Sequence, residues 1–194
     1  TILDKGAFYN LFERENIPIP PTKYISNLKQ LKVHLDMGND TERYYLKSDF
    51  SKNPKYVYSG TSSYLTSETI NWHKDIFFRK YYILQPEIPG ASLRLNIFSE
   101  GYEVYDFVTG EKFAMDDTNI TNIVQKLREF CNRIGLGNWI VKFDIIYNNK
   151  EFFALDIGID PPSRMTKEYL KKGLNFEKYY LDKYLNAFEF QEDT

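Results

Sequence analysis

The sequence predicts an α+β protein in which helices and antiparallel strands alternate irregularly. Three observations lead there. "SLRLNIF" and "YEVYDFV", joined around Glu100-Gly101, and "NWIVKFDIIY" and "EFFALDIGI", joined across Asn148-Asn149, are apolar and aromatic runs linked by short polar turns. Short turns of this kind make hairpins, whereas parallel strands need long helical crossovers. "DDTNITNIVQKLREFCNRIGLG" carries its apolar residues at helical spacing. Aromatic residues make up 17% of the 194 positions, so Tyr and Phe supply much of the core and disorder is not expected.

Taken in order, "DKGAFYNLFERENIPIPPT" predicts a helix from Asp4 to Glu15, with Asp4 as its cap and Ala7, Phe8, Leu11 and Phe12 on one face. Pro18, Pro20 and Pro21 then force an extended segment. "SNLKQLKVHLD" is a second short helix capped by Ser26, and "RYYLKSDF" is a strand. "SKNPKYVYSGTSS" follows as a polar loop over 51–63. "DIFFRKYYILQPEIPG" gives a strand ending at Pro86 and a turn at Pro89-Gly90. The strongest helix is capped by Asp117 or Thr118, turns Ile120, Ile123, Val124, Leu127, Phe130 and Ile134 to one side, and stops at Gly135. After the second hairpin, two short helices rich in Tyr and Leu flank Gly173. The expected division is a smaller lobe over 1–86 and a larger one over 87–194.

Composition narrows the function. A net charge of −2 from 25 basic and 27 acidic residues offers no broad cationic surface to nucleic acid or an anionic membrane. No run approaches the roughly 20 apolar residues of a membrane span, and no signal peptide is visible. Cys131 is the only cysteine, so no internal disulfide or cysteine metal cluster can form, and a cytoplasmic location is expected. His34 and His73 stand outside metal-ligand spacing and read as structural.

Three places could carry chemistry. Asp144 and Asp156 interrupt two apolar strands of one hairpin, 12 positions apart. A carboxylate there is costly unless a cation sits against it, and that cation could be an arginine, a lysine or a metal. Two convergent carboxylates suit magnesium, which takes a few carboxylates plus phosphate oxygens; a turn cap or a lysine pair is the plainer alternative. Lys47 ends an apolar strand before a loop holding Ser51, Ser59, Gly60, Thr61 and Ser62, which could aim an ammonium and backbone N–H groups at a phosphate; taken alone, an ordinary solvated strand end is the plainer reading. In "ILQPEIPGASLRL", an extended proline-stiffened segment could read the edge of a flat heterocycle, with Gln85 and Glu87 as further acceptors, or serve as a plain hinge. No Ser/His/Asp or Cys/His arrangement is present.

The order of these features, an opening "DK…NIPIPPT", a strand ending in Lys47, a polar loop, "QPEIPG" and paired acidic strands, resembles the ATP-grasp superfamily from Asp4 to Thr166. The resemblance implies two α+β lobes with antiparallel sheets and a nucleotide cleft between them, and ATP with Mg²⁺ as cofactors. It implies that Lys5 and Lys47 contact phosphate, that the loop bearing Ser51, Gly60 and Thr61 closes over it, and that Gln85, Glu87 and Ile88 form the adenine hinge. Lys142 would steady a developing oxyanion, Asp144 and Asp156 would hold the metal, Arg94 would add positive charge, and Arg164 would hold an acceptor carboxylate. Two departures stand out. Gly158 replaces an Asn ligand, for which Asp160 would compensate, and Ser92 and Arg94 lie where a ribose-binding Glu is usual. The α/β domain that precedes this region in the family is missing, which implies a truncated chain.

The implied activity is an ATP-dependent ligase joining small-molecule or peptide carboxylates to amines through an acyl-phosphate. The alternative is a catalytically weakened relative that binds a nucleotide or a partner.

Overall fold

A computed structural model of the chain describes residues 5–36, 41–48, 57–65, 81–98, 101–113, 118–148 and 151–159. The chain divides into two compact units, Thr1–Pro89 and Gly90–Thr194. Asp4, Ser51, Asp160, Arg164 and the C-terminal helices expected around Gly173 lie outside the described residues.

The first unit opens with α1 (Lys5–Arg14), which buries Phe8, Tyr9 and Phe12. Its end is set by Asn16 at φ 57°. The Asn16 N–H bonds Glu13 O at 3.1 Å and the Ile17 N–H bonds Phe12 O at 2.8 Å. These paired contacts form a Schellman cap, with Asn in the left-handed position and a buried residue after it. Next come β1 (Lys23–Ile25) and α2 (Leu28–Asp36). The cap of α2 is Asn27, one residue later than expected. Its Oδ1 accepts the Gln30 N–H at 2.9 Å, while Gln30 Oε1 accepts the Ser26 N–H at 2.8 Å, a reciprocal arrangement akin to a capping box.

Strands β2 (Arg43–Ser48), β3 (Val57–Thr61) and β4 (Tyr82–Pro86) join β1 in an antiparallel sheet of order β1-β4-β2-β3. Ile25, Leu46, Tyr82 and Leu84 pack on one side with Leu31 and Leu35 of α2 and with Leu65. Alternation sends Tyr45, Lys47, Ile83 and Gln85 to the other side. The expected loop over 51–63 is corrected in part. Residues 57–61 form an edge strand, with Gly60 opposite Tyr44 and Thr61 opposite Arg43, because pairing with β2 outweighs the weak strand preference of Ser59 and Gly60.

The second unit contains β5 (Ala91–Phe98), β6 (Gly101–Asp106), α3 (Thr118–Arg133), β7 (Val141–Tyr147) and β8 (Phe152–Gly158). Its sheet has the order β6-β5-β7-β8, antiparallel throughout. Leu93, Leu95, Val104, Phe143, Ile145 and Ala154 are buried, as are Ile120, Leu127 and Phe130 of α3; the Phe130 and Phe143 rings meet edge-on, 6.2 Å between centroids. Gly135, at φ 77°, ends α3 with a second Schellman pair: Gly135 N–H to Asn132 O at 3.2 Å and Leu136 N–H to Cys131 O at 2.7 Å. Arg128 of α3 donates to Phe98 O and Gly101 O at 3.4 and 3.1 Å, tying the helix to the end of β5 and the start of β6. Among the described residues no helix is long and apolar enough to cross a membrane.

Candidate functional site

In the first unit the chemistry gathers around Lys47. Lys47 lies opposite Ile83, and Gln85 lies opposite Tyr45, so Lys47 and Gln85 are diagonal neighbours on one face. Lys47 Nζ donates to Gln85 Oε1 at 2.7 Å and to Tyr9 OH at 3.3 Å. Tyr9 OH donates in turn to Gln85 Oε1 at 3.3 Å. Gln85 Nε2 donates to Thr22 Oγ1 at 2.9 Å, and the Thr22 hydroxyl donates to Pro20 O at 2.7 Å. The Lys47 ammonium also lies 5.9 Å from the ring centroids of Tyr9 and Tyr45. Gln85, 1% exposed, is thus the fixed post that holds this lysine. Tyr9 and Thr22 were not singled out from the sequence, and no local pattern ties either residue to Lys47.

The segment after β4 is anchored by Glu87. Its N–H bonds Arg43 O at 2.7 Å, its Oε2 pairs with Arg43 Nε at 3.0 Å, and its Oε1 accepts from Tyr45 OH at 3.3 Å. Burial, with Glu87 beside it, pushes the Tyr45 phenol up. Ile88 follows in irregular backbone. Lys5 opens α1 with its ammonium 5.8 Å from the Phe8 ring centroid. Gly60 makes room for an aromatic ring, since a Cβ there would sit 2.2 Å from Tyr64 Cδ1. Thr61 Oγ1 accepts the Tyr64 N–H at 3.4 Å, capping the helical turn at 62–65.

In the second unit the charged residues form rows across the sheet. Asp144 is directly opposite Arg94 on one side and Asp156 on the other; Arg94 is opposite Tyr105. One step along the strands, Lys142 is opposite Asn96 and Gly158, and Asn96 is opposite Glu103. Residues two apart share a face, so all these positions lie on the side away from Phe143 and Ile145. The face is only partly open: Asn96 is 1% and Glu103 9% exposed, and Tyr105 OH donates to Glu103 Oε2 at 2.9 Å.

The cation against Asp144 is an arginine. Arg94 Nε donates to Asp144 Oδ1 at 2.7 Å and Nη2 to Oδ2 at 2.9 Å, a bidentate fork between side chains 14% and 15% exposed. The guanidinium carbon also lies 4.7 Å from the Phe107 ring centroid. Phe107 is placed by its N–H to Ser92 O at 2.8 Å. The loop beyond it is pinned by Asp106, whose carboxylate takes the N–H groups of Thr109 and Val108 at 2.7 and 2.8 Å; these bonds hold that carboxyl below its usual range. Asp156 Oδ1 accepts the Ile157 N–H at 3.0 Å.

Asp144 and Asp156 have the right chemistry for a magnesium ion, which needs only one or two protein carboxylates when phosphate oxygens and water complete its shell. Among the described residues no group of three or more His, Cys, Asp or Glu could hold an ion alone. Asp144 would have to be shared with, or released by, Arg94.

No protein-family model matches the sequence and no curated protein matches it. Solved structures do match in fold. A RimK-domain ATP-grasp protein from Sphaerobacter thermophilus superposes with a TM-score of 0.69 at 16% identity, over 95% of this chain and 67% of that one. D-alanine–D-alanine ligase from Helicobacter pylori gives 0.68 at 13%, over 95% and 58%. The ATP-grasp ligase PsnB, solved with a phosphomimetic variant of its minimal precursor, Mg and ADP, gives 0.62 at 11%, over 84% and 50%. The chain spans half to about two thirds of the length of these structures. At such identities the likeness is one of fold, and the fold is ATP-grasp.

Proposed function

We propose that the chain is part of an ATP-dependent ligase joining a carboxylate to an amine. The observation that carries this reading is the row Arg94–Asp144–Asp156, with Lys142 one step away, on one face of a sheet whose fold is that of ATP-grasp structures. Two carboxylates that face each other and are matched by two cations are costly to assemble for packing alone.

The chemistry follows from charge. A carboxylate resists attack by an amine because its oxygen is a poor leaving group. Transfer of the ATP γ-phosphoryl group to that oxygen makes an acyl-phosphate and releases ADP; the amine then attacks the acyl carbon, the C–O bond to phosphate breaks, and phosphate leaves as the amine gives up a proton. Asp144 and Asp156 would hold Mg²⁺, which when bound offsets triphosphate charge. Lys47, kept in place by Gln85 and Tyr9, supplies a fixed ammonium for phosphate oxygens. Lys142 steadies the oxyanion formed as the amine attacks. Lys5, Ser51, Gly60 and Thr61 would contact the phosphates, Glu87 and Ile88 would form the adenine hinge, Arg164 would hold the acceptor carboxylate and Asp160 would add a metal ligand; the Gln85 side chain, buried and engaged by Lys47, Tyr9 and Thr22, is not free to read adenine.

A second reading is an ATP-grasp relative that binds nucleotide without turning it over. Gly158 favours it, because the position opposite Lys142 offers no side-chain ligand. Phosphate release from Mg-ATP with a panel of amino acids and peptides separates the two. The ligase releases phosphate only with a matched pair of substrates, and Lys47→Ala and Asp156→Asn each lose at least about a hundredfold in rate, about 2.7 kcal/mol, while remaining folded. A protein stabilised against heat by Mg-ATP that never releases phosphate supports the second reading. Normal turnover by either variant overturns the assignment of these residues.

A further inference from the structure

We propose that Arg94 is a latch on Asp144: it keeps divalent ions off this carboxylate until a polyphosphate arrives, and then turns to the phosphate oxygens. This rests on the metal role given to Asp144 above. Both Asp144 oxygens are engaged, at 2.7 and 2.9 Å, by the Nε and Nη2 of one guanidinium. That guanidinium is held at its edge by the carboxylate and over the Phe107 ring at 4.7 Å. An ion approaching Asp144 therefore meets a positive charge already in contact with the same carboxylate.

The charges on this face sharpen the point. Arg94 and Lys142 are balanced by Asp144 and Asp156 in adjoining rows. A bare divalent cation meets Arg94 and Lys142 beside the two aspartates, while Glu103 on the same face is engaged by Tyr105, and it must compete with a bidentate pair 14% and 15% exposed. A metal–polyphosphate complex differs on both counts. Its anionic oxygens attract the two protein cations, and a guanidinium leaving Asp144 finds phosphate oxygens that fit its fork equally well. Arg94 is then a positioning residue that makes occupation of Asp144 conditional on nucleotide.

The test uses Mn²⁺ as the probe, with no nucleotide, read by the electron paramagnetic resonance signal of free ion and by thermal shift. The full chain is expected to bind Mn²⁺ only weakly without nucleotide. Arg94→Gln, which removes the charge, is expected to bind it at least tenfold more tightly and to gain a Mn²⁺-dependent rise in melting temperature. Adding Asp144→Asn to that variant abolishes the gain. If Arg94→Gln does not fold, Arg94→Lys decides, because a single ammonium covers the two oxygens less well and Mn²⁺ affinity should lie above that of the parent. The latch is refuted if the folded variant binds Mn²⁺ no better than the parent, or if the gain survives loss of the Asp144 carboxylate. Mg-ATP binding by the parent is measured separately. Its absence sinks the proposed function, whereas its presence with an unchanged Mn²⁺ titration sinks the latch alone.

Discussion

Replacing Gln85 by leucine asks how firmly Lys47 is held. The amide is 1% exposed and makes three contacts: it accepts from Lys47 at 2.7 Å and from Tyr9 at 3.3 Å, and donates to Thr22 at 2.9 Å. Leucine is close in volume, so no cavity opens and the loss is polar. Thr22 keeps its bond to Pro20 O at 2.7 Å and loses little. Tyr9 loses an acceptor, at about 1 kcal/mol, and the Lys47 ammonium loses its shortest one, at about 1.5–3 kcal/mol for a charged group. The sum is about 3 kcal/mol, which in a chain of this length lowers the melting temperature by about 6–12 °C. Lys47, no longer tied to one rotamer, should also weaken ATP binding by about tenfold. Scanning fluorimetry reads the first effect and a binding titration the second. Gln85→Glu keeps the acceptor and restores most of both. A leucine variant melting within about 2 °C of the parent, as a surface substitution would, would show that Gln85 does not hold the lysine.

Other residues give sharper structural checks. Gly90→Ala places a Cβ 2.6 Å from the carbonyl oxygen of Tyr147, at φ 156°; backbone of β7 cannot swing aside, so a loss of about 2–4 kcal/mol is expected by thermal melting, and none would contradict the pairing of Ala91 with Tyr147. Phe130→Ala, at a fully buried ring, should cost about 3–5 kcal/mol in urea unfolding. Burial pushes the Cys131 thiol from its ordinary 9.0 to about 12, so a thiol reagent at pH 8 should label it only in denaturant. The same shift favours the neutral thiol in the folded state; that contribution is complete below pH 9.0 and should fade as pH rises towards 12.

The helix α3 and both hairpins were legible because each carries its own signal: helical spacing closed by Gly135, and apolar runs joined by polar turns. Lys47 at a strand end and an aspartate inside each strand of the second hairpin were legible as interruptions of pattern. Strands β1 and β3 were not. A three-residue run after the prolines is too short to signal a strand, and in Val57-Tyr58-Ser59-Gly60-Thr61 the Ser-Gly pair interrupts the strand-favouring residues; both become strands where β4 and β2 offer them partners. The partners of the charged groups were hidden for a related reason. Arg94 is 50 positions from Asp144, and Tyr9 is 76 from Gln85. Register brings Arg94 to Asp144 and the packing of α1 brings Tyr9 to Gln85, and both are properties of the assembled fold.

Register also decides where Asp156 points. Counting back from the turn, Tyr147 faces Phe152, Ile146 faces Phe153 and Ile145 faces Ala154. A regular ladder would next set Leu155 against Asp144 and Asp156 against Phe143, driving a carboxylate into the core beneath Phe130. Burying it there without a partner would cost several kcal/mol. The pairing instead shifts between Asp144 and Ile145, a bulge in which Leu155 is the extra residue. Beyond it Ile157 takes the place opposite Phe143 and is 4% exposed, while Asp156 turns to the face of Asp144. The apolar demand of Ile157 and the polar demand of Asp156 favour the same bulge. The two aspartates on an unbulged hairpin would lie on opposite faces of the sheet, and no single cation could serve them both.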